Sequence, residues 1–278
     1  MVDPRFRTLA YSLLLYACTI ALALSAAWRH VIAPSVSAGV GPLELTWESA
    51  IIFLVVFVLF TTVMVRFVRA AHVSLSFFLV IALVAGTQFI LSAWVRWPFD
   101  IIGAVAVAAL AWLWPRVAVH DFAVMVGIGG IAAVLGLSLT PLTASILLAA
   151  LSIYDIISVY RTRHMIALAD RMLESGAIFG FLVPANFSGF FTRRDDALRT
   201  RMVMMLGSGD IGLPLVLATS AVSQSIGAAV LVSGFALCGV SLMHWLFSHQ
   251  RRPMPMAALP PIAALSILGY VVAVAAGI

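Results

Sequence analysis

Two aspartates stand apart from the other acids by their surroundings. Asp155 lies in Ala149-Ala150-Leu151-Ser152-Ile153-Tyr154-Asp155-Ile156-Ile157, and Asp210 lies in Met204-Met205-Leu206-Gly207-Ser208-Gly209-Asp210-Ile211-Gly212-Leu213. No other acid reads as sitting inside so apolar a run. At the centre of a membrane helix an aspartate costs about 2.5–3.5 kcal/mol on insertion scales, so intramembrane acids point to function. Two neighbouring carboxylates cannot both ionise easily, and they share one proton. One can then take a proton from water while the other gives one to a carbonyl oxygen. That is amide hydrolysis by general acid and base, and it needs no metal or cofactor. Water must reach the pair, which implies a hydrated cavity.

The elements that carry these acids follow from composition. Hydrophobic residues make up 63% of the 278 and charged residues 10%, against roughly 25% charged in soluble domains. A β-barrel would show period-two alternation. The apolar runs here are continuous, so helices satisfy the backbone. The fold class is therefore an all-α polytopic membrane protein. Nine spans are predicted, at 8–28, 48–66, 73–94, 98–114, 119–138, 141–160, 201–221, 225–247 and 256–277, each near the ~20 residues that cross a bilayer. All seven Trp fall near proposed span ends, where amphipathic rings prefer the headgroup layer.

The net charge is +5 and every basic residue is Arg. Fourteen of the sixteen gather on one side of the predicted layout, and only Arg29 and Arg96 fall on the other. This places the amino terminus in the cytoplasm and the carboxyl terminus outside, as nine spans require. The charges thus orient the chain in a lipid bilayer, and no nucleic-acid partner is expected. No cleavable signal sequence is expected before the first span. Cys18 and Cys238 read as small packed side chains, and Gly127, Gly129 and Gly130 as sites of close helix packing.

The chain divides into a six-helix part, 1–161, a cytoplasmic connection, 162–200, and a three-helix part, 201–278. Within the connection, Ala177–Val183 is apolar but too short to span, which suits a strand-like flap or a surface segment. Asp155 is six residues from Arg161, about 9 Å by helical rise, and Asp210 is nine from Arg201, about 14 Å if helical. Antiparallel spans would let the two acids face each other. Gly207 and Gly209, flanking Ser208, allow another backbone close to the acid. Tyr154 sets a phenol beside the first acid. Pro260 and Pro261 are expected to disrupt the start of the last span.

Tyr154-Asp155 in one span and Gly207-Ser208-Gly209-Asp210 in the next resemble the Tyr-Asp and Gly-x-Gly-Asp motifs of the presenilin and signal peptide peptidase family of intramembrane aspartyl proteases. The stretch from Tyr154 to Met165 is most similar to microbial, especially archaeal, presenilin homologues. The resemblance implies nine spans and catalytic Asp155 and Asp210. It implies a substrate that is a transmembrane helix of another protein, and a prokaryotic cell membrane as the location. It also implies that the family's Pro-Ala-Leu triplet corresponds to Ala257-Ala258-Leu259, followed by Pro260, with the first proline missing. Tyr154, Gly207, Ser208, Gly209, Ala257, Ala258, Leu259 and Pro260 then shape the substrate site. An extended substrate is expected to add as a strand along Ile178–Val183 or the Leu259 region. Association into a homo-oligomer stays open.

Two other readings share parts of this pattern. A proton or cation transporter or channel also uses paired intramembrane acids, but it predicts inverted repeats, and none is visible. A prepilin-type peptidase also carries Gly-x-Gly-Asp, yet the Lys expected two residues later is Gly212, and the chain has no Lys. A zinc protease lacks its His-Glu-x-x-His.

Overall fold

The computed structural model describes residues 4–32, 68–161, 178, 180–200, 203–250 and 256–278. The span expected at 48–66 lies outside them, as does the start of the connection at 162–177. The described elements are α1 (Pro4–Ile32), α2 (Val68–Ser92), α3 (Phe99–Leu113), α4 (Val117–Ser138) and α5 (Pro141–Tyr160). Then come β1 (Gly180–Pro184), a 3-10 turn (Phe187–Phe191), α6 (Arg194–Arg199), β2 (Val203–Gly207), α7 (Ser208–Ala221), α8 (Ile226–Ser248) and α9 (Leu259–Ala275). Among the described residues, α1 from Phe6, α4, α5 and α8 are long and apolar enough to cross a membrane, while α3 and α9 are shorter apolar helices.

Local chemistry starts the helices where they start. Thr140 caps α5 by accepting the Thr143 amide at 3.2 Å, and Pro141 follows at a position that needs no amide donor. Ser225 caps α8 by accepting the Gly227 amide at 3.0 Å.

Helix α4 is the central post, packed against α1, α2 and α7. Glycine makes this possible on two faces. A methyl group on Gly130 would run into the Gly86 backbone of α2, and one on Gly136 into Thr219 of α7. The Thr219 hydroxyl donates to the Ala132 carbonyl at 2.8 Å, tying α7 to α4. Helices α8 and α9 pack together; a methyl on Gly239 would come within 2.7 Å of the Ile262 Cα.

The seventh predicted span departs from expectation. A continuous helix over 201–221 is replaced by β2, which runs antiparallel to β1, and α7 begins only at Ser208. The register pairs Gly180 with Gly207 and Pro184 with Val203. Gly207 and Gly209 are weak helix formers, while the Val203–Gly207 backbone finds its partners in β1. The depth deduced for Asp210 from helical rise therefore does not apply. The apolar flap does take strand form, and β1 is buried along its whole length.

One smaller expectation also changes. Cys18 and Cys238 are free, and both are exposed on outward helix faces rather than packed. In a membrane protein an apolar stretch faces lipid as readily as protein, so hydrophobicity does not identify the packed face. Trp94, Trp97, Trp112, Trp114 and Trp245 are all exposed.

Candidate active site

Asp155 sits near the end of α5, five residues before Tyr160, and is buried. The Leu259 amide, at the first position of α9, donates to its Oδ2 at 3.4 Å. Asp210 lies in the first turn of α7 and is half-buried. There the unpaired amides and the positive end of the helix dipole favour a carboxylate. The Gly207 amide donates to it, and the Asp155 and Asp210 carboxyls are close enough to interact electrostatically. Helices α5, α7 and α9 pack against one another. Pro214, four residues beyond Asp210, has no N–H, so the Asp210 carbonyl lacks the usual helical donor.

The remaining predicted site residues divide by position. Gly207 and Gly209 differ: a methyl on Gly207 would lie 3.0 Å from Asp210 Oδ2, whereas one on Gly209 would meet nothing within 4 Å. Gly209 thus borders open space among the described residues, one residue before the acid. Ser208, between them, is half-buried as the first residue of α7, and Tyr154 is half-buried on α5. Ala257 and Leu259 are buried, and Ala258 and Pro260 half-buried. Pro260 and Pro261 do not disrupt the last helix. They occupy its first turn, where a missing amide costs nothing. With Ala257 in place of proline, the chain still delivers the Leu259 amide to Asp155.

Two residues that sequence reasoning passed over support this arrangement. Asp121, the fifth residue of α4, is a further acid buried in an apolar helix, contrary to the expectation that Asp155 and Asp210 are alone. Its Oδ1 accepts the Leu182 amide at 2.8 Å. His120 Nε2 donates to the Gly180 carbonyl at 3.1 Å. Both bonds fall on the edge of β1 away from β2, so β1 has no open edge. A substrate strand along Ile178–Val183, as expected, would find it filled. Among the described residues the sheet has two strands, and its unpaired edge belongs to β2. The alternation that turns Gly180 and Leu182 outward also turns Val203 and Met205 outward on that edge. The signal available in sequence was His120-Asp121 between Val119 and Phe122, one turn into an apolar run.

Among the described residues no group of three or more His, Cys, Asp or Glu side chains is arranged to hold a metal. The family model for signal-peptide peptidase, presenilin aspartyl protease matches residues 12–278. The chain belongs to that family. It is accordingly an integral membrane aspartyl protease, a hydrolase of the aspartic endopeptidase class. Two solved structures of a presenilin-family intramembrane aspartate protease resemble it across nearly their whole length. The form in space group C222 has a TM-score of 0.67 at 25% identity, covering 96% of this chain and 99% of that one. The form in P2 has a TM-score of 0.65 at 26% identity, covering 95% and 96%. A search of curated proteins returned no match.

Proposed function

We propose that this presenilin-family protease cleaves transmembrane helices of other membrane proteins, using Asp155 and Asp210 as one acid–base pair. The carrying observation is that α5 and α7 pack together and set these two carboxyls within electrostatic range of each other, beside the edge of β2 that is unpaired among the described residues. One acid takes a proton from water as the water attacks the scissile carbonyl, and the other protonates the carbonyl oxygen. The Leu259 amide orients Asp155, and the Gly207 amide orients Asp210.

A helical substrate hides its amides in internal hydrogen bonds, so it must unwind before attack. The extended segment then adds to the outward edge of β2 at Met205, and the absence of a side chain at Gly209, which borders open space among the described residues, leaves room for its backbone beside the residue that precedes Asp210. The arginine distribution orients the chain with this end of the bundle toward the cytoplasm and supports nine spans, 48–66 included. The test is incubation of the purified protein with a single-span substrate, with and without a transition-state inhibitor of aspartyl proteases. Cleavage within the span, blocked by the inhibitor, is expected. Proton flux without any cut peptide would refute the reading.

A further inference from the structure

The backbones entering α4 and α6 form a short antiparallel bridge. The Val117 amide donates to the Thr192 carbonyl at 3.1 Å, and the Arg194 amide to the Pro115 carbonyl at 2.8 Å. Between these bonds Arg116 and Arg193 stand directly opposite each other. This is the non-hydrogen-bonded kind of pair, in which side chains come closest. Like charges set opposite each other destabilise such a pair. Among the described residues neither guanidinium has a carboxylate within ion-pairing distance; the ion pair in this region joins Arg194 to Asp195 at 3.5 Å. Among the described residues the bridge therefore sets two cations opposite each other with no carboxylate between them, and a bound anion would relieve them.

The surroundings indicate which anion. Leu113, Trp114, Pro115, Arg116 and Arg193 line a cavity of about 290 Å³. The Arg116 guanidinium lies 5.7 Å from the centre of the Trp114 ring. Trp112, Leu113 and Trp114 are 82%, 70% and 55% exposed at the end of the apolar helix α3. Exposed tryptophans where an apolar helix ends mark the boundary between acyl chains and headgroups. A free phosphate would use the arginines and leave that wall bare; a phospholipid would use both.

We propose that this cavity binds the phosphate of an anionic phospholipid, with Arg116 and Arg193 on its oxygens and its acyl chains along Trp112–Trp114. Arginine suits the task because its planar fork matches phosphate oxygens. The lipid clamps the start of α4 to the 192–194 segment that links β1 to β2. Since His120 and Asp121 hold β1 from that same end of α4, an occupied cavity steadies the sheet as a whole. The inference stands apart from the identity of the protease substrate.

The experiment measures binding by native mass spectrometry and melting temperature on the delipidated full chain in neutral detergent. It compares phosphatidylglycerol, phosphatidylcholine of the same acyl chains, and inorganic phosphate. Phosphatidylglycerol should stay bound and raise the melting temperature; the other two should do neither at matched concentration. The double variant Arg116→Gln/Arg193→Gln, freed of the like-charge repulsion, should melt slightly above the parent without lipid and bind phosphatidylglycerol about tenfold more weakly, a loss of about 1.4 kcal/mol. Arg193→Lys keeps the charge but not the fork and should lose several-fold. Unchanged phosphatidylglycerol affinity in these variants would overturn the site. Equal stabilisation by inorganic phosphate or by phosphatidylcholine would overturn the assignment to an anionic lipid.

Discussion

The Leu182 amide donates to Asp121 Oδ1 at 2.8 Å, so an acid on α4 seals the outer edge of the strand whose inner edge carries β2. The other oxygen of that carboxylate has no partner among the described residues, which puts the whole of its structural work on this one bond. Asp121→Ala strands a buried amide, at a cost of roughly 1–3 kcal/mol. It should lower the melting temperature and reduce turnover. Asp121→Asn keeps an oxygen where Oδ1 stands and should restore most of both. Melting curves and substrate cleavage on the two variants check this; equal loss in both would show that the charge matters, not the acceptor.

The acid pair itself admits a sharper measurement. Asp155→Asn and Asp210→Asn should each eliminate cleavage of a single-span substrate while gel-filtration profile and melting behaviour stay like the parent. Turnover plotted against pH should follow a bell in the parent, since one carboxyl must hold a proton while the other accepts one. Substantial residual cleavage in either pure variant would reject the dyad.

Gly207 and Gly209 look equivalent in sequence but should respond differently. A methyl on Gly207 crowds Asp210 Oδ2 at 3.0 Å, so Gly207→Ala should nudge the acid and lower kcat, by less than the roughly hundredfold that a full ångström of misplacement costs. Gly209→Ala has room for its methyl and gains up to about 1 kcal/mol of helix propensity. It should raise the melting temperature while increasing KM, because the methyl intrudes where the substrate backbone would lie.

Strand addition is tested by proline. Met205→Pro removes an amide that points away from β1, so the sheet should persist while cleavage of a helical substrate falls sharply. Met204→Pro removes an amide that β1 needs and should also destabilise the fold. Full turnover with Met205→Pro would exclude the β2 edge as the docking line.

Asp155 and Asp210 stand out in the sequence because placing an acid in an apolar run is costly. The helices around them were equally plain, since continuous apolar stretches leave the backbone few alternatives. What misled was the chain just before Asp210. Val203–Leu206 is apolar and reads as the start of a span, but its partner strand lies some twenty residues upstream, and no local pattern reveals that pairing. Asp121 was missed for a related reason. It stands one turn inside α4, where an acid reads as an interfacial residue, and only the fold brings Leu182 to it. The cysteines failed on a different ground, because apolar character cannot separate a lipid-facing surface from a protein-facing one.

Strand β2 passes into α7 at Gly207 and Ser208 without an intervening loop. A chain gripping that strand therefore pulls on the same short length of backbone that aims Asp210. On the proposed docking, grip and cutting stroke are mechanically one part, so a variant with altered taste in substrates should show an altered rate as well. Selectivity in such a machine is inherited from alignment, not added by a separate recognition module.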